Sequence, residues 1–169
     1  MRLAMPGEVA LEIDTIFDAS YGRVLEHEVG GQGFFETFYA RFVAASPEVA
    51  EKFRHTDMVR QRAMLKKSFY HLLAFYASSH ADYYLNKVAI SHNRRHLDIR
   101  PGLYDLWLDA MVESVRRYDP HCCPEVELAW RLVMSPGIVY MKFHYDRDVP
   151  VAHGALRERP HQDPPQEAI

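Results

Sequence analysis

Apolar residues recur with helical spacing along almost the whole chain. In the segment GQGFFETFYARFVAASPEVAEKF, the i, i+3, i+4, i+7 pattern of one helix face is made by Phe35, Phe38, Tyr39 and Phe42. No segment alternates for long with the period of two that a half-buried strand needs, and no Asn-Gly or Asp-Gly hairpin turn occurs. The pattern predicts an all-α fold.

Prolines and capping residues predict where the first helices begin. The stripe above predicts a helix over residues 32–44, with a further helix before it. Ser46 is a favourable N-cap and Pro47 suits the first helical position, so a short helix is expected to run toward Phe53.

Four more helical segments can be read further along the chain. Either Thr56 or Asp57 caps a long helix that ends near the sequence ASSHAD. Its stripe comprises Met58, Gln61, Leu65, Ser68, Leu72 and Phe75 or Tyr76. The next stripe comprises Leu85, Val88, Ala89 and His92. Pro101 and Pro124 open two long helices, and Pro136 is expected to kink the second.

The length of 169 residues is that of one domain. We expect the folded domain to span residues 1–145. Residues 146–169 hold four prolines and few large apolar residues, so this tail is predicted to be disordered or loosely packed.

Charge and composition exclude several classes of function. The formal net charge of −3 gives no strong attraction to nucleic acid, and no apolar run approaches the roughly 20 residues of a membrane helix. The N-terminus lacks the basic start and apolar centre of a signal peptide, so a cytoplasmic protein is expected. Cys122 and Cys123 are adjacent and form no C-x-x-C motif, which predicts two reduced thiols in a loop.

Tyr39, Gln61 and His92 stand on apolar stripes where packing alone would favour an aliphatic residue. A buried polar group without a partner costs roughly 1–3 kcal/mol, so each needs one. Each alone is compatible with an ordinary core or boundary position. Together, on three different helices, they can converge on one buried ligand.

Four segments resemble the successive landmarks of a bacterial globin: FYARFVAASPEVAEKF, QRAMLKKSF, ISHNRRHLDIRPGLYDLW and AWRLVMSPGIVYM. The resemblance covers about residues 30–145 and is to the haem domain of flavohaemoglobins and to single-domain and sensor globins. It implies a globin fold around haem b.

The resemblance also implies residue roles. His92 matches the proximal histidine that ligates haem iron, Phe53 the phenylalanine on the porphyrin face, and Tyr104 a tyrosine on the proximal side. The residues that would face a bound gas are Tyr39, Gln61 and Leu65.

The second histidine of the pair four residues apart has a different expected place. His96 lies in a basic turn where the helix should end, so Arg94, Arg95 and His96 are expected either at the haem propionates or at a solvated basic corner. The rival hypothesis for His92 and His96 is a zinc site, but no third ligand stands at a suitable spacing.

Three functions remain open at this point. The first is reversible binding of a diatomic gas such as O2, CO or NO, for storage or sensing. The second is a haem enzyme, an NO dioxygenase or a peroxidase-like protein, supplied with electrons by a separate reductase. The third is a haem-free module that binds a partner protein. Against the enzyme, Tyr145 stands where flavohaemoglobins place a glutamate that supports the proximal histidine.

A sensor would signal through a separate partner or as a homodimer. Trp107, Trp130 and Met141 on the last two helices are the residues that would form an interface, or else they complete the core.

Overall fold

The structure, a computed structural model, describes residues 6–78, 80 and 83–147, with side chains from residue 12. It contains seven helices in these ranges: α1 Pro6–Glu26, α2 Phe34–Ala44, α3 Pro47–Lys52, α4 Met58–Ser78, α5 Tyr83–His92, α6 Pro101–Tyr118 and α7 Pro124–Phe143. The described residues form no strand, and the all-α prediction is confirmed. The predicted tail lies outside the described residues except for 146 and 147.

Short polar contacts explain where the middle helices begin. The Val49 amide donates to Ser46 Oγ at 3.1 Å, which caps α3 as predicted. Asp57, rather than Thr56, caps α4, because its Oδ1 accepts from the amides of Val59 and Arg60 at 3.0 and 3.2 Å.

α2 begins two residues later than the predicted 32. Gly30 and Gly31 both have positive φ, 64° and 77°, and form a tight turn closed by Val29 and Gln32. Only glycine adopts such a pair of conformations without strain, so the chain reverses here before the helix starts.

Trp130 is the centre of the more densely packed part of the molecule. Its side chain is 0% exposed and contacts the rings of Phe17, Phe34 and Phe69, while its Nε1 donates to Ser20 Oγ at 2.9 Å. α7 packs here against α1 and α6. Trp130 therefore belongs to the core, as one of its two predicted placements had it, and Met141 is also buried.

α7 also packs closely against α4. A Cβ atom added at Gly137 would collide with Leu72 Cδ2, so the absence of a side chain at Gly137 lets the two helices approach. α7 continues through Pro136 to Phe143 as one helix. Among the described residues, no helix is long and apolar enough to cross a membrane.

Candidate functional site

A cavity of about 1150 Å³ lies between α4 and α5 and extends to α2, α6 and α7. Its wall is mostly aliphatic and aromatic. The predicted site residues on it are Tyr39, Phe53, Gln61, Leu65, His92 and Tyr104. The structure thus brings together six of the eight residues singled out from the sequence; Arg95 and His96 are not on the wall.

His92 ends α5 and reaches the cavity beside Tyr104 of α6. Its Nδ1 lies 3.1 Å from the Tyr104 hydroxyl, which leaves Nε2 for a ligand. The side chain is shielded from bulk water although it borders the cavity, and this burial lowers the pKa of His92 to about 4. The imidazole is therefore neutral at pH 7. Burial also raises the pKa of Tyr104, which stays a phenol.

Tyr39 of α2 and Gln61 of α4 form the second polar group on the wall. Gln61 Nε2 donates to the Tyr39 hydroxyl oxygen at 3.2 Å. Burial raises the pKa of Tyr39 to about 12, although the bond from Gln61 opposes the rise. The phenol keeps its proton at pH 7, and because its oxygen already accepts from Gln61, that proton is available to another acceptor.

Phe53 and Leu65 give this end of the cavity its apolar surface. Phe53 follows the last residue of α3, and its ring packs edge-on against Tyr39 and Phe42 at centroid distances of 5.7 and 5.8 Å. Leu65 is buried one helical turn beyond Gln61 on α4. Packing against Phe53 holds the Tyr39 ring in place.

Arg95 and His96 lie in the turn that follows α5, and both are exposed. Asn93 organises this turn: its Oδ1 accepts from the Arg95 amide at 2.9 Å and lies 2.8 Å from His96 Nδ1. The predicted role of Arg95 and His96 at the propionates stays a prediction.

Tyr145 is not a partner of the proximal histidine. Its hydroxyl donates to Asp98 Oδ1 at 2.7 Å. Asp98 has a φ of 51°, a left-handed conformation that aspartate tolerates better than most residues. His92 instead has the neutral Tyr104 as its hydrogen-bond partner.

Sequence reasoning missed the residues at the mouth of the cavity. The exposed members of the described wall are Arg60, Lys67, Tyr83 and Lys87, all on α4 or α5. Just inside, the rings of His71 and Tyr84 stack at a centroid distance of 4.1 Å. The shortage of acidic residues in α4 and α5 is the sequence signal that would have revealed a basic mouth.

The rival zinc site finds no support in the described residues, where no three His, Cys, Asp or Glu side chains come together in a group that would hold a metal ion. His96 is engaged with Asn93, while His92 borders the cavity.

Comparison with known proteins identifies the family. No family model matches the sequence, and no curated protein matches it significantly. A solved crystal structure does: a Pseudomonas aeruginosa protein described as structurally highly homologous to a human hemoglobin is 39% identical to this chain, with a TM-score of 0.72. The match covers 79% of this chain and 98% of the other. With seven helices around a cavity that holds its histidine, tyrosine and glutamine, the chain belongs to the bacterial globins.

Proposed function

We propose that this globin holds haem b in the cavity through His92 and binds a diatomic gas reversibly beside Tyr39 and Gln61, for storage or sensing. The observation that carries the proposal is that one cavity has a neutral histidine on α5 and a tyrosine–glutamine pair on α2 and α4. O2 is the gas that this pair suits best, because a bound O2 carries partial negative charge that a phenol can stabilise.

The wall of the cavity fits a haem group, which the globin fold implies. Its volume of about 1150 Å³ and its mostly apolar surface suit a large flat macrocycle. No carboxylate occurs on the described wall, whereas three cations stand at its mouth, where the two haem carboxylates are best accommodated. When bound, haem supplies an iron that coordinates a diatomic gas.

His92 is the residue that would ligate the iron. Nε2 can ligate only if the ring proton is on Nδ1, and the Tyr104 oxygen is there to accept it at 3.1 Å. Tyr104 therefore fixes both the tautomer and the orientation of the ring. The low pKa of His92 means that no proton has to be displaced from Nε2 near neutral pH.

Tyr39 is the proposed donor to the gas, and Gln61 its support. The amide of Gln61 donates to the Tyr39 oxygen, so the phenol proton is directed elsewhere, and the cavity is the space beside it. A hydrogen bond to a partly charged acceptor contributes roughly 1.5–3 kcal/mol in such a site.

Reversible gas binding is favoured over peroxidase-like turnover by the partner of the proximal histidine. A carboxylate bonded to Nδ1 would make the imidazole a stronger electron donor, but here the partner is the neutral hydroxyl of Tyr104. The tyrosine at 145, where an acid was sought, bonds instead to Asp98.

Absorption spectra of the haem-loaded protein in its ferric, ferrous and CO-bound forms test the proposal. His92→Ala should lose most tightly held haem or change its axial coordination, because it removes the ligand. His96→Ala is the matched control, and its ferrous-CO spectrum should be nearly unchanged because His96 points into the turn. If the two variants behave the other way round, the proposal is wrong.

A further inference from the structure

The mouth of the cavity carries one sign of charge. We define it by the four exposed residues of the described wall, Arg60, Lys67, Tyr83 and Lys87. Three of them are cations, and no carboxylate occurs on the described wall. The Lys67 ammonium lies 5.4 Å from the centre of the Tyr84 ring, a cation–π contact that holds it at the opening.

The positive charge extends beyond the mouth. Residues 58–97, which include α4 and α5, contain one acidic residue, Asp82, in a chain whose net charge is −3. The same segment contains seven basic residues, Arg60, Arg62, Lys66, Lys67, Lys87, Arg94 and Arg95. The net charge of this segment is therefore +6, and the remainder of the chain is strongly acidic.

Cations on other helices are paired with acids, and those at the mouth are not. Exposed ion pairs join Arg116 to Glu127 at 2.6 Å and Arg131 to Asp109 at 3.1 Å. Within the described residues, no carboxylate forms an ion pair with Lys67 or Lys87. Since two haem carboxylates would leave part of this charge uncompensated, the mouth is electrostatically suited to a second, acidic partner.

We propose that the mouth is the docking surface for an acidic one-electron carrier protein. The proposal rests on the proposed function, because a carrier docked at the mouth would stand at the accessible edge of the bound haem. One electron passes from the reduced carrier to the ferric iron, which becomes ferrous; the carrier is oxidised by one electron, and no bond breaks and no proton moves. Tyr83, 83% exposed among the cations, favours a protein partner, since aromatic and arginine side chains are enriched at protein interfaces.

Binding of a plant-type [2Fe–2S] ferredoxin, used as an acidic probe carrier, tests the proposal by calorimetry on the haem-loaded protein. In about 0.15 M salt, charges are screened over roughly 8 Å, so local contacts dominate. The test variants are Lys67→Glu and Lys87→Glu. Each should weaken binding by roughly threefold to tenfold, since a rim attraction becomes a repulsion.

Lys66→Glu is the matched control. It makes the same change in net charge on the same helix, but residue 66 lies about 100° around α4 from Lys67 and is not on the cavity wall. Its effect on binding should be less than about twofold. Equal losses in Lys66→Glu and Lys67→Glu would reveal a response to net charge alone and overturn the proposal.

Two further measurements separate the possible failures. Vesicles of phosphatidylglycerol, offered in place of the carrier, should bind more weakly, and a preference for vesicles that depends on Lys67 and Lys87 would overturn the proposal in favour of a membrane surface. Ferrous-CO spectra of every variant report haem binding by itself. Intact spectra with unchanged carrier binding would refute the docking surface while leaving the gas-binding function standing.

Discussion

The part of the molecule around Trp130 and the part around the cavity treat polar groups in opposite ways. Around Trp130, polar side chains are paired with each other: Ser20 accepts from the indole, and Tyr118 bonds to Thr37 at 2.6 Å. Around the cavity, Tyr39 and His92 keep one atom each for a ligand. The difference teaches that stability comes from closing hydrogen bonds within the fold, and binding from leaving selected ones incomplete.

The largest expected effect is loss of stability in Trp130→Ala. This change removes a fully buried side chain that contacts several rings, and it should lower the free energy of unfolding by about 3–5 kcal/mol. Trp107→Ala is the matched change at the cavity, where Trp107 is only half-buried and borders open space. Urea unfolding of the haem-free proteins should give a smaller loss for Trp107→Ala, and equal losses would remove the distinction between the two parts.

Tyr39→Phe should affect gas release more than folding. Loss of a hydrogen bond of roughly 1.5–3 kcal/mol speeds O2 release by about tenfold to a hundredfold, whereas CO release, which involves little charge on the gas, should change much less. Tyr118→Phe is the control, because its hydroxyl bonds to Thr37 and to the Gln32 carbonyl within the fold. Stopped-flow dissociation rates that are alike for O2 in Tyr39→Phe and the parent protein would exclude Tyr39 as the donor.

The ion pair between Arg23 and Asp119 should make stability depend on acid in the packed part. Burial alone would raise the pKa of Asp119, but bonds from Arg23 and the His121 amide hold it below the ordinary value of 3.8. A depressed carboxyl pKa contributes stability that is complete above pH 3.8 and is lost as the pH falls through the lower folded value.

Asp119→Asn measures this contribution. The variant should be less stable by about 1–2 kcal/mol at pH 7, a modest amount because Arg23 is still 26% exposed to water. The difference from the parent should shrink near pH 2, where the native carboxyl is protonated. A difference that is constant between pH 7 and pH 2 would point to packing rather than charge.

The smallest effect is expected from the cap of α3. Ser46→Ala leaves the Val49 amide without its acceptor and should cost about 1 kcal/mol. Ser78→Ala is its control, since Ser78 Oγ bonds back to a carbonyl of its own exposed helix and should matter little. Thermal unfolding that shifts equally in both variants would show that the cap does not position α3.

The fold and the inside of the cavity were within reach of the sequence because both follow from helical periodicity. The stripes placed Tyr39, Gln61 and His92 on buried faces, and the structure gathers them on one wall. Periodicity ends where a helix ends, so it carried no information on the turn that directs His96 to Asn93. The partner of Tyr145 is Asp98, 47 residues away, and that pairing depends on tertiary packing.

The mouth was missed for a different reason. A net charge summed over 169 residues averages the basic segment 58–97 with the acidic remainder, and the sum of −3 conceals both. Which cations border the cavity depends on how α4 and α5 face each other, and the spacing along each helix does not determine that orientation.

The close approach at Gly137 bears on how a large ligand enters. α4 is held against α7 where Leu72 meets the bare backbone, so that wall has little freedom to swing outward. α5 has only ten residues and buries only Leu85 and Ala89, a length at which a helix is marginal by itself. We expect α5 to be the door: its amides should exchange with solvent fastest among the helices that border the cavity, and loading should slow that exchange.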